Sequence, residues 1–120
     1  MLAAAMSTCM WHSHGMSNVR RELHDLHASV CKGLADPKRL MIINALRDGE
    51  KAVGDICAEL GLAQSNVSQH LSILRDKGLV KTQRDGQFVF YSLTSPKIIQ
   101  AVDLLREVMA EQVGSVATVD

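Results

Sequence analysis

Between Val53 and Val80 the chain reads VGDICAELGLAQSNVSQHLSILRDKGLV, two short amphipathic segments joined by a glycine, and no other stretch restricts the possible folds so tightly. Val53, Ile56, Cys57 and Leu60 stand at offsets 0, 3, 4 and 7, one face of a helical period, so the spacing predicts a helix over 53–60 with an apolar inner side. Gly61 follows where a helix ending in the left-handed conformation favours a residue without Cβ, and Leu62 gives the turn an apolar anchor. A second helix opens at Gln64 or Ser65 and turns Val67, Leu71 and Leu74 inward. Ser65, Asn66, Ser68, Gln69 and Ser72 are left outward or flanking, and the whole is the pattern of a helix-turn-helix.

The outward residues are short, polar and almost uncharged. A merely solvated helix face is usually rich in Lys and Glu, whereas Ser, Asn and Gln exchange hydrogen bonds with base edges and phosphates without long charged arms. In a helix-turn-helix the N-terminal part of the second helix enters the major groove, so Gln64, Ser65, Asn66, Ser68 and Gln69 are the candidate readers. His70 has two readings, a phosphate contact or a cap on the packing beside Leu71.

Two β-prone runs follow, Leu79 to Arg84 and Gln87 to Leu93, and the Asp85-Gly86 pair between them predicts a tight hairpin, the wing of a winged helix. Phe88, Val89, Phe90 and Tyr91 put apolar groups on both faces of the second strand, which predicts packing against helices on one side and partial cover on the other. Arg84 and Gln87 at the tip, with Lys77 and Lys81 nearby, suit phosphate or minor-groove contact, although basic groups at a turn are commonly just solvated. Asp36-Pro37 is an N-cap followed by a first-turn proline, opening a core helix through Leu40, Ile43 and Leu46 to Asp48-Gly49. Ser95-Pro96 opens the last helix, whose stripe of Ile98, Ile99, Val102, Leu105, Val108, Met109 and Val113 exceeds what one small domain needs. Near the start, Val19, Leu23, Leu26 and Val30 form another stripe at steps of 4, 3 and 4.

From about Leu34 to Leu93 the segments LADPKRLMIINAL, VGDICAELGLAQSNVSQHLSILRDKGLV and RDGQFVFYSL resemble, in order and spacing, the ArsR/SmtB family of winged-helix repressors. The resemblance implies a mainly α fold with a small β-hairpin, a winged helix-turn-helix dimerised through its first and last helices. It also implies a homodimeric transcriptional repressor bound to double-stranded operator DNA, which it leaves when a metal ion, a metalloid or a reactive sulfur species binds. On this reading residues 1–17 are a flexible tail, 18–113 the DNA-binding and dimerisation domain and 114–120 a C-terminal tail.

A chain of 120 residues holds one core, and its formal charge of zero looks wrong for a DNA-binding protein until it is divided along the sequence. Between Gln64 and Tyr91 stand Arg75, Lys77, Lys81 and Arg84 against Asp76 and Asp85, whereas the last helix is acidic, so the positive excess lies where DNA would be and dimerisation doubles it. No apolar run approaches the roughly 20 residues that span a bilayer, and the N-terminal segment lacks a basic start, so a cytoplasmic protein without membrane partners is expected. Nowhere do a nucleophile, a general base and an oxyanion donor converge, so an enzyme is not expected. A winged helix used only for protein contacts is a further reading.

The inducer is the less legible half. Three cysteines, Cys9, Cys31 and Cys57, are an odd number for a reducing compartment and point to metal binding or thiol chemistry rather than structural disulfides. Ala52 and Gly54 stand where the resemblance implies the cysteine pair of arsenic and cadmium sensors, and the last helix, with Asp103, Glu107 and Glu111, lacks the histidine of a zinc-type site. Two other donor sets present themselves. His24, His27 and Cys31 lie at offsets 0, 3 and 7, near one helix face, which suits zinc or a similar borderline-soft ion. Alternatively the Cys9, His12, His14 segment folds over Cys31 or Cys57 to make a thiolate site for arsenite or a soft metal; Met6, Met10 and Met16 offer later start sites, and a start at Met16 would remove the first 15 residues and Cys9 with them. Against these stand inert readings: Cys31 and Cys57 as buried thiols, and His24 and His27 as solvated residues among Arg20, Arg21, Glu22 and Asp25. No obligatory cofactor is expected, and a redox or persulfide switch that binds no metal is the alternative sensor.

Overall fold

A computed structural model describes residues 16–119, with side chains between residues 17 and 113. Helix α1 runs over Met16–Leu26, passes through one π-helical turn at His27–Cys31 and closes with an α turn at Lys32–Leu34. There follow α2 (Pro37–Ala45), β1 (Lys51–Ala52), α3 (Val53–Leu60), α4 (Gln64–Asp76), β2 (Val80–Asp85), β3 (Phe88–Leu93) and α5 (Pro96–Val119). Helix α1 thus begins at Met16 and α5 extends to Val119.

Local chemistry accounts for most of the element ends. Asp36 caps α2 by accepting from the Lys38 and Arg39 N–H groups at 2.8 and 3.3 Å, with Pro37 in the first turn. Gly61 ends α3 at φ 67° and ψ 34°, and the Gly61 and Leu62 N–H groups both return to the Cys57 carbonyl, which closes the tight turn. Ser95 Oγ accepts from the Lys97 N–H to open α5. In the π turn of α1 the Lys32 N–H reaches back to the His27 carbonyl, and Ser29 Oγ donates to the Asp25 carbonyl at 3.1 Å.

The sheet has three antiparallel strands in the order β1-β3-β2. The short strand β1 is an addition to the expected hairpin, pairing Lys51 with Tyr91 and Ala52 with Phe90. The hairpin turn also falls one residue later than expected. Asp85 pairs with Phe88, leaving Gly86-Gln87 as the loop, with Gly86 at φ 63°. Among the described non-glycine residues no φ is positive, so a turn with Asp85 in the loop, which needs two left-handed residues, is excluded in favour of one with glycine first.

The core is built from Ile42 and Ile43 of α2 and Leu46 just after it, Ile56 of α3, Val67, Leu71 and Leu74 of α4, Leu79, Val80, and Ile99 and Val102 of α5. Burying each such side chain contributes about 1.5–3 kcal/mol. Leu40 is a correction: with Met41 it is exposed and borders a groove of about 390 Å³ shared with Leu60 and Val102. Steps of three residues fall about 60° short of a helical turn each, so Leu40 drifts off the face that Ile43 and Leu46 bury. The α5 stripe divides likewise. Its first turns enter the core, while Leu104, Leu105, Val108, Met109 and Val113 stay exposed together with Val19, Leu23 and Leu26 of α1. Among the described residues no helix is long and apolar enough to cross a membrane.

Candidate nucleic-acid interface

Helix α4 is sorted by depth into three stripes. Val67, Leu71 and Leu74 have no solvent exposure and fasten it to the core. Ser65, Ser68, Gln69 and Ser72, spaced 0, 3, 4 and 7, form the opposite stripe and are all exposed, as is Gln64 in the first turn. Asn66, His70, Ile73 and Lys77 lie half-buried along one flank. The predicted readers therefore divide: Gln64, Ser65, Ser68 and Gln69 share the open face, Asn66 and His70 sit beside it, and Ser72 joins the stripe although it was not among the candidates.

The N-terminus of α4 differs from that of α2. Ala63 precedes it in an extended conformation with no side-chain cap, and the first turn holds no acidic residue. Its leading N–H groups and the positive end of the helix dipole are left for an external anion. The wing continues the same surface, with Arg84 and Gln87 exposed at its tip and Lys81 along β2. Thr94 Oγ1 donates to the Gly78 carbonyl at 2.8 Å and ties the end of β3 to the turn that leaves α4. Phe88 is exposed on the outer side of the wing, its ring 6.4 Å from that of Phe90, while Tyr91 and Leu93 on the other face pack on the core.

The charges follow the division made from the sequence. Among the described residues the ion pairs are Arg47–Asp103, Arg106–Asp103 and Lys51–Glu59, none of which involves a residue of α4 or of the β2-β3 hairpin, so Arg75, Lys81 and Arg84 face solvent without a carboxylate partner. Lys77 is different. Its Nζ donates to the Ala28 carbonyl at 3.0 Å, which makes it a tether rather than a free cation.

His70 also has a protein partner that no motif announced. Its Nδ1 lies 3.2 Å from Arg39 Nη1, and Arg39 further donates from Nε to the Gly33 carbonyl and from Nη2 to the Lys32 carbonyl. Nearby, desolvation opposes ionisation of Asp36, but the Lys38 and Arg39 N–H bonds, with the Arg39 charge, hold its carboxyl below the usual aspartate range.

The thiols do not converge on this surface. Cys31 is exposed at the end of the π turn, and Cys57 is half-buried against the core. Cys9, His12 and His14 lie outside the described residues. His24 and His27 border a shallow surface hollow with Leu23. The π turn sets Cys31 out of phase with the α-helical spacing on which the His24, His27, Cys31 set relied, and among the described residues no three His, Cys, Asp or Glu side chains group as metal ligands.

Comparison with known proteins accords with this architecture. Residues 36–82 match the family described as bacterial regulatory protein, arsR family. The chain is 36% identical over 106 residues to the nodulation protein NolR of Rhizobium meliloti, covering 86% of this chain and 87% of that protein. It is 38% identical over 85 residues to the biofilm growth-associated repressor of Xylella fastidiosa (strain Temecula1), covering 71% and 75%. Its fold superimposes with a TM-score of 0.71 and 31% identity on the solution structure of the homodimeric winged helix-turn-helix DNA-binding domain of a possible ArsR-family regulator from Mycobacterium bovis, over 82% of this chain and 92% of that one. With its winged helix-turn-helix, its exposed polar stripe and relatives along most of its length, the chain belongs to the arsR family of bacterial regulatory proteins and is a DNA-binding transcriptional regulator, not an enzyme.

Proposed function

We propose that the protein is a homodimeric repressor that occupies operator DNA with Gln64, Ser65, Ser68 and Gln69 of α4 in the major groove and Arg84 and Gln87 of each wing on the adjoining backbone. The observation that carries this reading is the exposed, uncharged stripe of α4 set opposite three fully buried anchors, beside an uncapped helix N-terminus. Asn66 and His70 serve the flank and hold the helix. Dimerisation covers the apolar residues that α1 and α5 leave in water, and the homodimeric relative from Mycobacterium bovis supports that use of them. Repression takes its support from the Xylella relative's name, and the place of action is the cytoplasm, where the DNA is.

Release from DNA is assigned to a thiol-directed inducer with no obligatory cofactor. The exposure of Cys31, and the lack of a three-donor group among the described residues, favour modification by an oxidant or reactive sulfur species over metal coordination. Coordination of a metal or metalloid is the second reading, and it needs Cys9, Cys57, His24, His27 or a second protomer to complete the donors. In either case the inducer acts by preferring a dimer geometry whose two α4 helices no longer match successive major grooves. A coupling of about 1–3 kcal/mol lowers affinity from about fivefold to over a hundredfold.

The test is binding of the reduced protein to its own promoter fragment, with Ser68→Ala and Gln69→Ala alongside. Salt-dependent binding that both variants weaken without loss of the dimer is expected, and unchanged affinity in both removes these residues from the reading surface. Titrating zinc, cadmium, copper(I), arsenite and polysulfide onto the complex, with each cysteine changed to serine in turn, then separates the inducers. If every variant responds as the parent does, thiol sensing is wrong.

A further inference from the structure

We propose that Arg39 is a positioning residue for DNA recognition, holding His70 of α4 against the C-terminal end of α1 so that the reading stripe takes its orientation from the helix that carries the dimer face. The proposal rests on α4 being the major-groove helix.

Contacts on three different residues converge on one short stretch of α1. Arg39 donates to the Gly33 carbonyl at 2.7 Å and to the Lys32 carbonyl at 3.2 Å, and its Nη1 meets His70 Nδ1 at 3.2 Å. A guanidinium only donates, so His70 accepts through Nδ1 and carries its ring proton on Nε2. Farther along the same flank of α4, Lys77 Nζ donates to the Ala28 carbonyl at 3.0 Å. Between these points α1 presses its backbone against the end of α4: a Cβ on Gly33 would stand 2.6 Å from Leu79 Cδ1 and 3.4 Å from Lys77 Cβ.

The flank so gripped is the half-buried one, next to the exposed stripe of Ser65, Ser68, Gln69 and Ser72. The stretch that grips it continues, toward the N-terminus of the same helix, into exposed Val19, Leu23 and Leu26. A rotation of α1 at the dimer face is therefore delivered to α4 at Ala28, Lys32 and Gly33. The fork geometry matters, because a lysine in place of Arg39 reaches one acceptor where the guanidinium spans three.

The test uses full-length Arg39→Met, Arg39→Lys, His70→Ala and the Arg39→Met/His70→Ala double variant, with Ser68→Ala and Gln69→Ala as controls, in anisotropy titrations on the protein's own promoter fragment over a range of salt. Arg39→Met and Arg39→Lys are expected to lose tenfold or more in affinity while remaining dimeric by ultracentrifugation. The dependence of log K on log salt changes by less than one phosphate contact, about 0.9. The double variant binds within about twofold of the weaker single, because Arg39 acts through His70. Unchanged affinity in Arg39→Met, additive losses in the double variant, or a salt slope reduced by a full contact per protomer each overturn the proposal, the last by making Arg39 a phosphate ligand. Nitrogen chemical shifts of the His70 ring keep the test open if Arg39→Met does not fold: a proton on Nε2 in the parent is expected, and a proton on Nδ1 overturns the contact. Losses in Ser68→Ala and Gln69→Ala with none in Arg39→Met leave the reading of α4 standing and remove this proposal, whereas no loss in any variant removes both.

Discussion

Replacing Gly33 with alanine sets two effects of known size against each other. Alanine is favoured over glycine within a helix by about 1 kcal/mol at most, and less near a helix end. Against this, the new methyl would lie 2.6 Å from Leu79 Cδ1, with Lys77 Cβ and Cγ at 3.4 and 3.5 Å. Carbon atoms pack best at about 3.5–4.0 Å, so Leu79 must retreat by about 1 Å. It has little room, being only 2% exposed in the core cluster. Overpacking of this kind costs about 1–3 kcal/mol, so overpacking wins and Gly33→Ala is expected to destabilise by about 1–2 kcal/mol. At one fixed protomer concentration that lowers Tm by about 4–8 °C. Leu79→Val removes the clashing methyl, so the Gly33→Ala/Leu79→Val protein should be more stable than the sum of its single changes implies, by about 1 kcal/mol. Differential scanning calorimetry of the four proteins measures both quantities. A stabilised Gly33→Ala, or strictly additive losses, refutes the close packing of α1 on the end of α4.

Other substitutions separate the remaining forces. Gly61→Ala meets no atom within 4 Å but must hold φ 67°, so a loss of about 1–2 kcal/mol in urea unfolding is expected from backbone strain alone, and no loss would deny that conformation. Leu105→Glu or Met109→Glu, each on the exposed part of α5, should give a folded monomer with weakened operator binding, and a stable dimer by sedimentation would move the interface elsewhere. The Asp103 carboxyl is held below its ordinary range chiefly by hydrogen bonds from Arg47, opposed by desolvation and helped by the Arg47 and Arg106 charges. Its contribution is complete above the ordinary aspartate value of 3.8 and lost as pH falls through the lower folded value, so Asp103→Asn should flatten stability in acid, and equal acid dependence in both proteins would deny the pairing.

What was legible in the chain was what local rules decide. The α3-turn-α4 unit, the Asp36 cap and the Gly61 turn each rest on residues within one or two turns of one another, and they appear at the expected positions. The hairpin was legible to within one residue, because Asp85-Gly86 and Gly86-Gln87 differ only in which φ the loop requires. Strand β1 is not legible in the sequence because two residues carry no period of their own and exist as a strand only through β3. No sequence period announces the π turn, and it shifts the phase that would align Cys31 with His24 and His27. On the interface, the period of α4 separated the buried anchors from the polar face, but could not separate Asn66 and His70 from the open stripe. For His70 that distinction is made by Arg39, which is distant in sequence.

The most direct test of a dimer reading the major groove through Gln64, Ser65, Ser68 and Gln69 is a methylation-protection footprint on the protein's own promoter, since dimethyl sulfate reports guanine N7 in that groove. Two protected segments centred one helical turn apart, about 10–10.5 base pairs, are predicted, fading together in Gln69→Ala. A single protected segment, or a footprint with no major-groove protection, would contradict it.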